Sequence, residues 1–206
     1  GIPYWNTDIG GFFNWPYHGG AENKAYHELY TRWFQYGTFL PMQRSHGSGV
    51  KKEIYNLGKK GDWVYDSEEK YINLRYALLP YLYSTGWQVT DNAGSFLRAL
   101  FMDFNEDQKV HTISNQYMFG KAFLVTPVTR NMYVFSDKEQ WKDPYEDFSK
   151  TGTQDVYLPK GTKWFDFWTG ETLNGGQMVT KEVPIDIIPL YVRAGSIVPF
   201  GPKVQY

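Results

Sequence analysis

The chain is 206 residues long, which allows one ordinary domain or two small ones. Its 21 basic and 22 acidic side chains give a formal net charge of −1 with no basic stripe, so nucleic acid is not expected as a partner. Cysteine is absent, which excludes disulfides and thiolate metal sites, and no apolar run reaches the ~20 residues of a membrane span, so no membrane partner is expected either. Aromatic residues make up 19% of the chain, with 17 Tyr, 14 Phe and 8 Trp. Rings in this number either fill a β-rich core or offer flat faces on which sugars stack.

The segment Tyr4-Trp5-Asn6-Thr7-Asp8-Ile9-Gly10-Gly11-Phe12-Phe13 reads as the end of a barrel strand running into a glycine-rich loop. On that reading the sequence is the back part of something larger. Residues 21–37 place Tyr26, Leu29, Tyr30, Trp33, Phe34 and Gly37 at helical spacing. From Gly37 to Gly61 the chain is rich in glycine and charge and reads as a long loop, a common carrier of function. A second helix is expected near Asp66, with Asp66 and Glu69 as a capping box and an apolar face through Tyr71, Ile72, Tyr76, Leu79 and Tyr83. Pro80 lies inside that pattern and predicts a kink. Phe96 to Phe104 reads as a buried strand, and residues 112–119 as one or two helical turns. Alternating helix and strand points to a parallel α/β architecture.

After Gly120 the pattern becomes short strands divided by glycine and proline turns, as in an all-β sandwich. The expected strands are residues 122–128, 156–158, 163–167, 177–180, 189–193 and 196–199. Residues 129–155 form a polar, aromatic-dotted insertion without clear periodicity. The expected division is therefore 1–121, strand–helix units of a barrel, and 122–206, a β-sandwich.

Asp8 is the first residue with chemical potential. A carboxylate at the C-terminal end of a barrel strand, followed by two glycines, either contacts a ligand or caps the loop. Arg44 and His46 form the second pair. A planar guanidinium and an imidazole can grip adjacent sugar hydroxyls, or they can anchor a loop and face solvent. Asp103 is a possible carboxylate partner for Asp8, since retaining glycoside hydrolysis needs two carboxylates ~5–5.5 Å apart. His18 can line the glycine loop, whereas His27 and His111 read as solvated. No metal-ligand spacing, phosphate-binding loop or nucleophile elbow stands out, so no metal or cofactor is expected.

Taken in order, several segments resemble glycoside hydrolase family 31, the retaining α-glycosidases. They begin with Asp8-Ile9-Gly10-Gly11-Phe12, then Arg32-Trp33-x-Gln35-x-Gly37-x-Phe39-x-Pro41-x-x-Arg44-x-His46-Gly47. Next come Leu74-Arg75-Tyr76-x-Leu78-Leu79-Pro80-Tyr81, Gln116-Tyr117-Met118-Phe119-Gly120 and Leu124-Val125-Thr126-Pro127-Val128. The last are Asp166-Phe167-Trp168-Thr169-Gly170 and Ile188-Pro189-Leu190-Tyr191-Val192-Arg193. The resemblance spans nearly the whole chain except the 129–155 insertion.

It implies α/β plus all-β structure: the last part of a (β/α)8 TIM barrel, then a β-sandwich. It implies an oligosaccharide or polysaccharide substrate; the sequence itself fixes no compartment, and a polysaccharide substrate would suit the periplasm or the cell exterior. By the same resemblance Asp8, Arg44 and His46, with the aromatic residues Trp5 and Phe12, line the subsite of the non-reducing sugar. The nucleophile and acid/base aspartates are implied upstream of residue 1, in a missing N-terminal portion of the same protein. Asp103 is then structural or supporting, and the isolated chain is expected to be inactive and prone to self-association; the rival readings are a non-catalytic sugar-binding module, residues 122–206, and a scaffold fragment. Glu28-Leu29-Tyr30-x-Arg32-Trp33-Phe34-Gln35 and Glu53-Ile54-Tyr55 resemble the α-xylosidase branch, with α-glucosidases the close alternative. Gln43 stands where the family pattern leads one to expect a bulkier or more apolar residue.

Overall fold

The computed structural model describes residues 3–202. In its first part, the segment carrying Ile9 and Phe13 meets the segment carrying Ser45 and Ser48 through two parallel bridges. Helix α1, Lys24–Thr38, connects them. The Asn23 side chain caps α1 by accepting from the backbone N–H groups of Ala25 and Tyr26, at 2.9 and 3.2 Å. Tyr26, Tyr30 and Phe34, four residues apart, are buried under the bridged segments. The predicted strand at the start is therefore present as bridges rather than as a ladder.

A single turn, α2 (Ile54–Leu57), leads to α3 (Trp63–Ala77) and α4 (Leu79–Asn92). The second helix starts earlier than Asp66, and the expected capping box does not form. Asp66 instead reaches back to accept from Gly61 N at 3.0 Å, and Asp62 accepts from Lys59 N at 2.9 Å. Both carboxylates are used to fold the preceding loop. Pro80 breaks the helix instead of kinking it and sits in the first turn of α4, where its missing N–H costs nothing. The buried stripe nevertheless continues in helical phase through Tyr71, Leu78, Leu82, Thr85 and Val89. Tyr71 is buried as expected, but Tyr76, Leu79 and Tyr83 are exposed, and Tyr81, Leu82, Thr85 and Val89 face inward instead.

The rest is mostly antiparallel sheet. Its elements are β1 (Leu97–Ala99), the short turn α5 (Leu100–Asp103), β2 (Tyr117–Phe119), β3 (Phe123–Val125), β4 (Val134–Phe135) and β5 (Tyr145–Glu146). They continue as β6 (Thr153–Leu158), β7 (Lys163–Asp166), β8 (Thr172–Asn174), β9 (Gln177–Glu182) and β10 (Leu190–Arg193). One sheet runs β1-β2-β3-β10-β7-β8, and β6-β9 and β4-β5 pair separately. The buried strand expected from Phe96 to Phe104 ends at Ala99. The helical turns expected over 112–119 give way to β2, after a 3-10 turn that ends at Thr112. Residues 196–199 form no strand. The insertion contains the β4-β5 hairpin.

The middle of the first sheet is buried on both faces. Phe119, Phe123, Val125 and Leu190 point toward the helices and share a core with Phe39, Tyr81 and Leu82. The alternate residues Met118, Leu124, Trp164 and Tyr191 pack against Val156 and Leu158 of β6. Burial of each such side chain contributes about 1.5–3 kcal/mol. The sheet runs across the expected boundary at 121/122, because β1 pairs with β2 and β2 with β3. A three-residue strand buried on both faces shows no alternation, so its sequence does not announce it.

Two carboxylates and a guanidinium tie α1 and α3 to the β layers. The Glu28 carboxylate, 1% exposed, accepts from the N–H groups of Met132, Tyr133 and Val134 at 2.7–3.3 Å. Arg32 donates to the carbonyls of Val183, Pro184 and Ile187 at 2.9–3.1 Å. Lys70 bonds Asp186 at 2.8 Å, and Tyr71 receives the N–H of Ile188 at 3.0 Å.

Candidate functional site

The site lies where the two bridged segments end. Ile9 N donates to Arg44 O at 3.3 Å, which puts the side chains of Asp8 and Arg44 at the same end of the pair. They form an ion pair at 2.5 Å, with the Arg44 side chain about half exposed and Asp8 partly exposed. His46 follows on the same segment, exposed, with its ring edge-on to Phe12 at 5.4 Å. Phe12 is itself packed on Phe13 at 4.7 Å and 42% exposed, so an apolar ring is presented to solvent beside three polar groups. A carboxylate acceptor, a guanidinium fork, an imidazole and an aromatic face are the set that grips a ring of hydroxyls and C–H faces. Trp5 is half-buried and makes no hydrogen bond or ring pair with this group among the described residues.

The loop between Asp8 and Phe12 depends on its glycines. Gly10 has φ of +79°, and a Cβ there would lie 2.5 Å from the Tyr30 ring and 2.7 Å from the Tyr26 hydroxyl. The tyrosines of α1 therefore fix the height of the Asp8 loop. The Tyr30 hydroxyl also bonds Ser45 Oγ and the Lys52 carbonyl, the latter at 2.8 Å, so one ring supports both segments. Trp33 donates to Thr7 Oγ1 at 2.7 Å just before the loop.

Asp103 is not part of this site. It takes a two-pronged ion pair from Arg98 at 2.7 and 3.1 Å and closes the turn after β1. His27, read as solvated, is 8% exposed, and its Nε2 lies 2.6 Å from Ala21 O. Burial holds its pKa below the usual imidazole range. His18 is exposed and His111 lies in the 3-10 turn. Gln43 bonds Thr38 Oγ1 at 3.2 Å and belongs to the end of α1. Glu28, Arg32 and Gln35 hold helix and sheet together, so that stretch of the sequence is a clamp.

Two groups were not singled out by sequence. Lys52, 8% exposed, sits under the loops, where burial lowers its pKa against the pull of Asp8. Glu68 is fully buried beside Tyr26 and Tyr30, and neither carboxyl oxygen has a partner among the described residues. Burial pushes its pKa from 4.5 up to about 9. The folded protein thus keeps a proton that the unfolded chain loses above pH 4.5, and this residue makes stability fall as pH rises toward 9. Glu68→Gln is expected to leave stability unchanged at pH 4 and to raise it by on the order of 3 kcal/mol at pH 7. Melting of both forms of the full-length protein between pH 4 and 9 checks this; a difference that does not grow with pH contradicts it.

The chain matches the glycosyl hydrolases family 31 TIM-barrel domain over residues 1–85 and the glycosyl hydrolase family 31 C-terminal domain over residues 93–198. It is 43% identical to an alpha-xylosidase of Saccharolobus solfataricus over 97% of this chain and 24% of that protein. An alpha-glucosidase of the same organism is 31% identical over 97% of this chain and 25% of the other. The crystal structure of a GH31 alpha-xylosidase from Xanthomonas citri superposes with a TM-score of 0.85 at 42% identity, covering 100% of this chain and 21% of that one. The chain belongs to glycosyl hydrolase family 31, and its fold is the end of a TIM barrel followed by a β-sandwich. It spans about a quarter of the length of these relatives.

Proposed function

We propose that this chain is part of a retaining α-glycoside hydrolase that removes non-reducing terminal α-xylosyl residues of the xyloglucan type. The observation that carries the reading is the exposed Asp8–Arg44 ion pair with His46 and Phe12 beside it. These residues, with Trp5 at the margin, bind the terminal sugar. The two aspartates of the double displacement come from outside these 206 residues. One attacks the anomeric carbon while the other protonates the leaving oxygen, and water then releases the sugar. In support, Asp8 and Asp103 are each engaged by an arginine and belong to separate clusters.

The rest of the same protein covers two apolar faces. One is a cavity of about 530 Å³ against α1, lined by Leu29, Trp33 and Tyr36 and by Trp141 of the insertion. The other is the exposed row Tyr76, Leu79, Tyr83 and Trp87 on α3 and α4. The division into barrel units, 1–121, and a β-sandwich, 122–206, belongs to this reading, and the family matches end at residue 85 and resume at residue 93.

Preference for xylosides rests on the higher identity to an alpha-xylosidase, 43% against 31% for the alpha-glucosidase. An α-glucosidase is the second reading, because the two sugars differ by one hydroxymethyl group. Aryl α-xyloside and aryl α-glucoside, assayed side by side, decide between them. The full-length protein is expected to turn over the xyloside faster, and the isolated 206-residue chain neither. No turnover by the full-length protein sinks the hydrolase reading, and a faster glucoside reverses the preference.

A further inference from the structure

We propose that Lys52 is a positioning residue that locks the two sugar-binding loops together, with Gly47 supplying the space for its ammonium group. This inference rests on the function proposed above and adds a residue to it.

The two bridged segments part between their bridges. Ile9 pairs with Ser45 and Phe13 with Ser48, but the residues between are not paired with each other. Gly10 and Gly11 both have φ of +79°, which turns the backbone away from a regular ladder. Two carbonyls in the gap, those of Gly11 and His46, each need a donor. The buried Lys52 Nζ supplies both, bonding Gly11 O and, at 2.7 Å, His46 O. One cation therefore fixes the distance between the loop that carries Asp8 and Phe12 and the loop that carries Arg44 and His46. A Cβ on Gly47 would lie 2.6 Å from Nζ and 2.5 Å from Phe12 O, so a side chain there would push into the clamp.

Lys52 is 8% exposed and its ammonium group is engaged by two backbone carbonyls, so its effect is on placement. A misplacement of about 1 Å in a binding loop is enough to lower activity by roughly a hundredfold. Loss of the ammonium lets the loops move apart and weakens the grip on the terminal sugar before it affects the chemistry.

The test uses the full-length enzyme, its better aryl α-glycoside, and inhibition by the matching free sugar, D-xylose or D-glucose. Lys52→Met keeps the stem and removes the donors, Lys52→Gln is too short to span both carbonyls, and Lys52→Arg restores a cation. Folding is checked by near-UV circular dichroism. The expected result is that KM and the sugar Ki rise at least about tenfold in the folded Met or Gln variant. The fall in kcat is smaller, and Arg returns Ki to within about threefold of wild type. A folded Met or Gln variant with Ki within twofold of wild type overturns the inference, and so does failure of both to fold, which would assign Lys52 to folding alone. Absence of turnover by the wild type would instead remove the hydrolase reading and this inference with it.

Discussion

Asp8→Ala in the full-length protein is expected to lower kcat/KM for the preferred aryl α-glycoside by about 100- to 1,000-fold, with no change in fold. The Asp8 carboxylate is partly exposed and paired to Arg44 at 2.5 Å, so its loss leaves no buried group unsatisfied. What is lost is a charged acceptor for sugar hydroxyls and the partner that orients the guanidinium. Hydrogen bonds to charged groups contribute about 1.5–3 kcal/mol each. Those that tighten as the sugar ring flattens toward the transition state lower the barrier as well as KM. Asp8→Asn keeps the shape and one acceptor and is expected to fall between. Steady-state kinetics on both variants, with circular dichroism alongside, give the answer. Asp8→Ala within threefold of wild type would assign the ion pair to loop structure only.

Glu28→Ala is expected to destabilise the full-length protein by about 3–5 kcal/mol while leaving the site residues in place. The Glu28 carboxylate is buried and satisfies the N–H groups of three successive residues, 132–134. Removing it strands those donors, and it strips a nearby negative charge from the buried Arg32. The same segment begins the hairpin insertion whose Trp141 stacks on Tyr17 at 5.8 Å, so the effect should spread to the loop above α1. Glu28→Gln retains one acceptor and should lose less. The first urea transition of each variant measures this, because a protein of several domains need not unfold in one step. A loss below about 1 kcal/mol would mean that water replaces the carboxylate and that α1 is held by apolar packing.

Much of this architecture can be read along the chain, and the exceptions have a common cause. Helix α1 is legible because Tyr26, Tyr30 and Phe34 repeat at helical spacing on one buried face. The strands β6, β7, β9 and β10 lie within runs bounded by glycine and proline. Strand β1 is legible within the run Phe96 to Phe104, although that run continues as a helical turn, whereas β2 escapes because it is three residues long and almost wholly buried, which erases alternation. Tyr76, Leu79 and Tyr83 mislead because they form a helical row of their own that faces outward, while Tyr71, Leu78, Leu82, Thr85 and Val89 form the buried one. The acidic residues near α3 mislead because either end of a loop can use the same carboxylates.

The site divides in the same way. Asp8, Arg44 and His46 stand out as polar residues beside glycines at the end of a strand-like run. Lys52 does not, since Lys51 is its neighbour of the same type and is exposed. Only the fold reveals that one of these ammonium groups turns inward beneath two loops. Glu28 and Arg32 resemble specificity residues in sequence because their partners, more than 100 positions away, cannot be seen locally.

The account stands or falls on where the terminal sugar sits. A crystal structure of the full-length protein with the monosaccharide of its preferred substrate tests this directly. The account predicts sugar hydroxyls within hydrogen-bond distance of the Asp8 carboxylate, the Arg44 guanidinium and the His46 ring, with Phe12 beside the sugar. A sugar bound away from these four residues, with Asp8 and Arg44 still paired only to each other, would contradict it.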